Sequence, residues 1–281
     1  MTTISAATSS EYAAELLAAR DAARAAGAVL GTEAGRPHPA SAKADGSPVT
    51  TLDLEADRII QARLRAAFPD DRIVTEETEL APPADGSRFW LVDPLDGTRD
   101  FAAGSPEFAV HIALVNAGVP VVAVVHHPAT GAHFEAVRGH GAWRVEPTGV
   151  PDRLTVSSRS SLPELRVGVS RRAPGDRLTR LLAESPLGAG ATPLGASLKI
   201  TAVAAGELDG TLCLHGREKS WDTAAPGLVV TEAGGRISDV DGHPFVYGPG
   251  DQAHHRGIVT SNGRCHEALC ALAARYWPVD R

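Results

Sequence analysis

Apolar positions along the chain follow two rhythms, one helical and one extended. Residues 11–30 are dense in Ala, Leu, Glu and Arg, strong helix formers, and predict a first helix. Residues 31–47 are rich in Gly, Pro, Ser and Lys and read as a mobile loop. Next, Leu54, Ile59, Ile60, Leu64, Ala67 and Phe68 roughly suit one helix face, with Thr50, Thr51 and Asp53 where capping residues belong. Pro69 to Asp71 turns the chain, and Ile73 and Val74 read as a short strand running into Glu76 and Glu77. Phe89 to Val92 is an uninterrupted apolar run, the pattern of a buried strand. The β-branched runs 108–115 and 119–127 flank Asn116-Ala117-Gly118 and read as a hairpin, and residues 133–145 supply a further strand pair. Around residues 147–161 the composition turns polar and proline-containing, which places a domain boundary there. Beyond it strand and helix alternate: 165–170, 176–184, 197–206, 208–214, 223–233, 257–261 and 264–276, the signature of an α/β layer. The chain therefore divides into an α+β part, residues 1–150, and an α/β part, residues 151–281.

The buried strand at Phe89 ends in Asp93-Pro94-Leu95-Asp96-Gly97-Thr98. Proline fixes one backbone angle and glycine frees another, so a sharp turn is expected there. It gathers carboxylates, a hydroxyl and backbone N–H groups on one small surface. Carboxylates beside a backbone carbonyl are hard oxygen ligands of the kind Mg²⁺ prefers. Backbone N–H groups at such a turn suit a phosphate. Metal and phosphate in one loop point to phosphoryl chemistry. An isolated turn of this composition is most often a plain surface turn. Here it follows a buried strand, and carboxylates recur at Asp53, at Glu76-Glu77 and at Asp222. Each has an ordinary alternative: Asp53 as a cap or first-turn acid, Glu76-Glu77 as a solvated turn, and Asp222 as an acid complementing a helix dipole. His111, His126, His127, His133 and His140 lack metalloprotease-like spacing and read as structural or surface residues.

Length and charge narrow the classes. The 281 residues suffice for one large domain or two packed ones with a real core. A formal net charge of −7 and the lack of a basic block argue against nucleic-acid polymers and anionic membranes as partners. Cys213, Cys265 and Cys270 are odd in number and not spaced as a metal knuckle, so they read as buried or incidental thiols of a reducing compartment. The N-terminus has neither a basic start nor an apolar signal core, and no apolar run approaches membrane-spanning length, so a cytoplasmic protein is expected.

Glu76-Glu77, Asp93-Pro94-Leu95-Asp96-Gly97-Thr98 and Trp221-Asp222 followed by Glu232-Ala233-Gly234-Gly235 together resemble the inositol monophosphatase superfamily, lithium-sensitive Mg²⁺-dependent phosphatases. The resemblance covers nearly the whole chain in the right order. It implies a layered α-β-α-β-α sandwich of the sugar-phosphatase type, two packed subdomains with the site between them. It also implies that Glu76, Asp93, Asp96 and Asp222, with the Leu95 carbonyl, hold two or three Mg²⁺ ions. Val49-Thr50-x-x-Asp53 matches the family segment whose aspartate pairs with the motif threonine, here Thr98. Glu77 would support rather than chelate. The metals would neutralise phosphate oxygens, acidify a water and stabilise the leaving alkoxide. Thr98 polarised by Asp53, with Glu76, would serve catalysis, and the N–H groups of Gly97 and Thr98 would hold the phosphate. Direct in-line hydrolysis is expected, with no covalent nucleophile.

Three features are similar to the 3′(2′),5′-bisphosphate nucleotidases of sulfate assimilation: Gly195-Ala196-Ser197-Leu198-Lys199, the segment Lys219 to Pro226, and Arg99-Asp100-Phe101. Inositol enzymes typically carry a glutamate seven positions before the metal-binding aspartate, and His215 stands there instead. His215, Arg217 and Lys219 would tolerate a second phosphate that a carboxylate would repel. Lys199 would meet the 5′-phosphate, and Ser197 the sugar or base. Solvated-surface roles for Lys199 and Arg217 stay open, as does an inositol or other small sugar or nucleoside phosphate as substrate. A non-catalytic metal- and phosphate-binding protein is disfavoured, because no proposed metal carboxylate, nor Thr98 or Asp53, is missing. The family is frequently dimeric, and no sequence feature decides that state here.

Overall fold

A computed structural model describes residues 11–78, 80–147, 149–171, 175–195 and 198–277. In the first half, α1 (Ala13–Glu33) leads to a small hairpin of β1 (Ser41–Ala42) and β2 (Pro48–Val49), then α2 (Thr51–Ala67). A seven-stranded sheet follows: β3 (Arg72–Thr75), β4 (Phe89–Asp96), then, after the short α3 (Thr98–Ala102), β5 (Ala109–Asn116), β6 (Val119–His127), β7 (Ala132–Val137), β8 (Ala142–Val145) and β9 (Pro151–Arg153). Its strands lie in sequence order, antiparallel except for the parallel pair β3–β4.

This sheet is covered on both faces, so its strands are apolar nearly throughout rather than alternating. Successive side chains of a strand point to opposite faces. Trp90, Val92, Ile112, Leu114, Val122 and Val124 accordingly pack with Leu16, Leu30, Ile60 and Leu64 of α1 and α2. Phe89, Leu91, Ala113, Val115, Ala123 and Val125 form the opposite core.

The second half builds β10 (Val167–Ser170), α4 (Gly175–Glu184), β11 (Ala191–Leu194), α5 (Leu198–Ala204), β12 (Gly210–Cys213), α6 (Ser220–Glu232), β13 (Arg236–Ser238), β14 (Ile258–Ser261) and α7 (His266–Ala274). The five-stranded sheet runs β11-β10-β12-β14-β13, parallel where β10 meets β11 and β12 and antiparallel around β14. Helix α6 lies between the two sheets, its residues 223–230 all buried. A helix apolar on every side has no solvent face to present. Helices α4 and α7 close the far side through Leu178, Leu181, Leu269 and Leu272. The layers are thus α1/α2, sheet, α5/α6, sheet, α4/α7: the α-β-α-β-α sandwich.

Three local expectations are corrected. The central strand does not stop at Val92 but continues to Asp96, with its register against β5 broken between Asp93 and Asp96. Pro94 sits in that irregularity, where a strand tolerates the missing donor, and the sharp turn comes three residues after it, at Gly97 with φ of 91°. Helix α6 starts at Ser220, so Asp222 is the third residue of its first turn and accepts the Lys219 N–H at 2.7 Å. The segment 31–47, read as a loop, carries most of the β1–β2 hairpin.

His266, at the start of α7, ties that helix to the sheet: its Nε2 lies 2.8 Å from Ser238 Oγ and its Nδ1 2.8 Å from Ser261 Oγ. Burial, with Arg236 adding to it, depresses its pKa to about 4. An imidazole that is neutral when folded and titrates near 6.5 when unfolded contributes stability that is lost as pH falls from about 6.5 towards about 4. In urea denaturation across that range, His266→Gln should lose less stability on acidification than the wild type.

Candidate active site

The site forms where the β3 and β4 ends meet the start of α6. Parallel pairing aligns Thr75 with Val92, and Glu76 N donates to Val92 O at 3.0 Å, so Glu76 and Asp93 come side by side. Asp222 arrives from the first turn of α6, and carboxylate oxygens of Glu76, Asp93 and Asp222 lie within 4.8 Å of one another. Asp93 is 1% exposed, and its Oδ1 accepts the Leu95 N–H at 2.9 Å. Asp96 turns towards the buried His111, its Oδ2 3.5 Å from Nε2.

Like charges at this separation oppose one another strongly away from water. Burial first, then repulsion from Glu76, Asp96 and Asp222, pushes Asp93 well above the usual carboxylate range. Burial and the charges of Asp96 and Glu76 do the same to Asp222, and burial raises Glu76. Converging, poorly compensated carboxylates beside a main-chain carbonyl are a donor set for a hard divalent cation. The residues therefore fit the metal that the sequence implies.

Asp53 performs both of its expected roles at once. Its Oδ2 accepts from Thr50 N at 2.8 Å and Thr50 Oγ1 at 2.6 Å, completing the capping box of α2. Its Oδ1 accepts from Thr98 Oγ1 at 2.9 Å, and that hydroxyl also lies 3.1 Å from Leu95 O. Asp53 is 1% exposed, behind Thr98.

A cleft of about 320 Å³ opens over these groups. Glu76, Asp93, Leu95, Asp96, Gly97, Thr98 and Asp222 are among the residues that line it. The second half supplies Lys199 from α5, Cys213 from the end of β12, and His215, Arg217 and Glu218 from the loop before α6. A crevice at the carboxyl ends of parallel strands is where open α/β sheets bind ligands. Burial lowers the His215 pKa; Glu218 opposes that, while Arg217, Lys199 and Arg99 reinforce it.

Lys219, expected at the substrate, does not line the cleft: Nζ lies 3.7 Å from Asp45 Oδ2 and 5.9 Å from the centroid of the Trp221 ring. Its backbone precedes α6, and Asp45 of the β1–β2 turn draws its ammonium away. Ser197 lies outside the described residues.

Sequence reasoning missed Lys43, whose Nζ lies 2.7 Å from both Glu76 Oε1 and Glu77 Oε1. Burial alone would depress this ammonium, but Glu76 and Glu77 outweigh it and hold it above its ordinary value. Burial raises Glu77 to about 7 despite the hydrogen bond from Lys43. Lys43 stands in a segment without periodicity, and only its company of two acids in space marks it. Glu218 was missed for the same reason.

A two-sheet sandwich with an acidic cleft at its seam is the architecture of the sugar-phosphatase fold. The chain belongs to the inositol monophosphatase family, whose model matches residues 13–277. It is 36% identical to the 3′(2′),5′-bisphosphate nucleotidase CysQ of Escherichia coli, over 80% of this chain and 90% of that protein. The histidinol-phosphatase of Streptomyces coelicolor is 34% identical over 83% and 87%, and the inositol-1-monophosphatase of Rhizobium meliloti 35% over 85% and 87%. Among solved structures, the extragenic suppressor protein suhB of Bartonella henselae superposes with a TM-score of 0.79 at 30% identity, covering 92% of this chain and 98% of that one. Among the described residues, no helix is long and apolar enough to cross a membrane.

The electrostatics of the cluster yield a direct expectation. Asp93→Asn should leave the metal-free protein at least as thermally stable as the wild type at neutral pH, because it removes a repulsive buried charge. The same variant should abolish most of the rise in melting temperature that Mg²⁺ produces in the wild type. Differential scanning fluorimetry with and without Mg²⁺ reads both effects.

Proposed function

We propose that this protein is a Mg²⁺-dependent phosphomonoesterase that removes the 3′-phosphate of 3′-phosphoadenosine 5′-phosphate, releasing AMP and phosphate. The observation that carries the substrate is the mixed lining of the cleft, which brings the cations Lys199, Arg217 and Arg99 into the same space as the acids Glu76, Asp93 and Asp222. In this reading the acids take the scissile phosphate through the metal and the cations take a second phosphate, and the similarity to the nucleotidase of Escherichia coli supports the same reading.

In this reading Glu76, Asp93, Asp96, Asp222 and the Leu95 carbonyl hold the metal. Mg²⁺ held there would supply charge neutralisation for the phosphate oxygens and a more acidic water. Thr98, its proton held towards Asp53, offers a lone pair to the water in line with the phosphorus, and Glu76 is the further proton acceptor. The first N–H groups of a helix have no partner within it, which leaves those of Gly97 and Thr98 to receive the scissile phosphate. Lys199, Arg217 and the neutral His215 face the second phosphate. A cytoplasmic, reducing setting agrees with three buried free thiols.

One observation favours a second reading. Glu218 lies in the cationic wall with its Oε1 3.1 Å from His215 Nε2, and a carboxylate there suits a hydroxyl-rich or cationic ester such as inositol phosphate or histidinol phosphate.

Phosphate release measured side by side on 3′-phosphoadenosine 5′-phosphate, inositol 1-phosphate and histidinol phosphate, with Mg²⁺ and with or without lithium, separates the two. A preference for the nucleotide of roughly 100-fold in kcat/KM, about 2.7 kcal/mol in the transition state, is expected. Preference for either other ester refutes the nucleotidase reading while leaving the phosphatase intact. Thr98→Val should lower kcat by about 10²- to 10⁴-fold on whichever ester is preferred. Its melting temperature should fall modestly, because buried Asp53 Oδ1 loses the Thr98 hydroxyl while the bonds it accepts from Thr50 in the α2 cap survive.

A further inference from the structure

We propose that Cys213, His215 and Glu218 form a second metal site, for a single thiophilic divalent cation such as Zn²⁺, in the wall of the cleft and separate from the carboxylate cluster. Strand β12 ends at Cys213, and in extended chain residues two apart point the same way. Cys213 and His215 therefore project together, with Sγ 3.0 Å from Nε2. The chain then reverses at Gly216, where φ is 64° and a Cβ would meet His255 O at 3.1 Å. That reversal returns Glu218, which is pinned by its main-chain carbonyl accepting the His254 N–H at 2.8 Å. Glu218 Oε1 accepts a hydrogen bond from the Cys213 thiol and lies 3.1 Å from His215 Nε2. One sulfur, one nitrogen and one oxygen thus converge within 4.8 Å of each other.

The donor set separates this place from the Glu76–Asp93–Asp222 cluster. Hard oxygen ligands suit Mg²⁺, whereas thiolate and imidazole select Zn²⁺ and its neighbours. Three protein ligands with a fourth position open to a cleft is a recurrent arrangement for zinc. Glu218 Oε2, the second oxygen of the converging carboxylate, is also buried without a hydrogen-bond partner. A buried carboxylate oxygen lacking a partner is costly, and a bound cation offsets that cost. Zinc–sulfur and zinc–nitrogen bonds of about 2.3 and 2.1 Å place a tetrahedral pair about 3.6 Å apart, so the thiol and ring need separate by only about half an ångström. Burial holds the Cys213 thiol protonated and His215 neutral. On binding, the S–H bond breaks, the sulfur keeps the electron pair and bonds the metal, and the proton leaves to solvent, with no change of oxidation state. The assignment rests on these side chains alone and holds for any ester the cleft accepts.

Co²⁺ is the probe, added to metal-stripped protein in excess Mg²⁺, which keeps the carboxylate cluster supplied. A thiolate-to-cobalt charge-transfer absorption saturating at one equivalent is expected, lost on addition of one equivalent of Zn²⁺ and unaffected by more Mg²⁺. Cys213→Ser should abolish it, Glu218→Gln should weaken cobalt affinity by roughly tenfold or more, and the double variant Cys265→Ser/Cys270→Ser should keep it. Circular dichroism verifies that each variant is folded; should Cys213→Ser not fold, Glu218→Gln decides. A folded wild type without the band, a band that survives Cys213→Ser or Glu218→Gln unchanged, or cobalt that Zn²⁺ fails to displace overturns the proposal.

Discussion

Three carboxylates that repel one another are held together at the seam of this molecule, and much of the architecture serves to keep them there. Glu76 and Asp93 are brought side by side by the parallel step from β3 to β4, while Asp222 comes from a helix sandwiched between the two sheets. None of these positions can relax away without dismantling a core. Trp90 and Val92 anchor one face of β4 against α1 and α2, and Phe89 and Leu91 anchor the other against α6. The hydrophobic layers thus supply the force that confines like charge, as expected where function requires a locally unfavourable arrangement. Lys43 relieves part of the repulsion by bridging Glu76 and Glu77, and a divalent cation would relieve more.

The cleft mixes chemical characters because both halves contribute to its walls. The antiparallel half supplies Glu76, Asp93, Asp96 and Arg99 around an irregularity in a strand that holds Pro94 and ends at Gly97. The α/β half supplies Asp222, Lys199 and Arg217 together with the soft donors at the end of β12. A ligand in the cleft therefore meets hard metal-binding oxygens as well as Lys199, Arg217 and His215.

Most of the layering was legible in the residues, because buried strands and amphipathic helices declare themselves by composition and period. The run 89–92 and the hairpin around Ala117-Gly118 carry that signal plainly. The boundaries of β4 and α6 were less legible. Pro94 and Gly97 punctuate the sequence so strongly that the strand reads as ending before the acids, whereas pairing with β5 resumes at Asp96. The start of α6 was obscured because Asp222 looks like a first residue, although it caps from the third position. Lys43 and Glu218 were not legible: both lie outside periodic segments, and their relevance comes from partners that only the folded chain supplies. Lys219 shows the converse, a cation in a promising motif whose direction is set by Asp45 and Trp221.

Asp53 carries a consequence for how such a protein can change. One oxygen of its carboxylate closes the capping box of α2 and the other holds the hydroxyl of Thr98. Selection acting on foldedness and selection acting on turnover therefore converge on a single side chain. No neutral intermediate separates the two demands, because a replacement that spares one oxygen's partners disturbs the other's. Lys199 and Arg217 of the cationic wall stand on a different half of the chain, away from the cap. A lineage exploring new esters is free to vary that wall while the first turn of α2 stays fixed, so diversification of substrate and preservation of chemistry proceed on separate parts of one molecule.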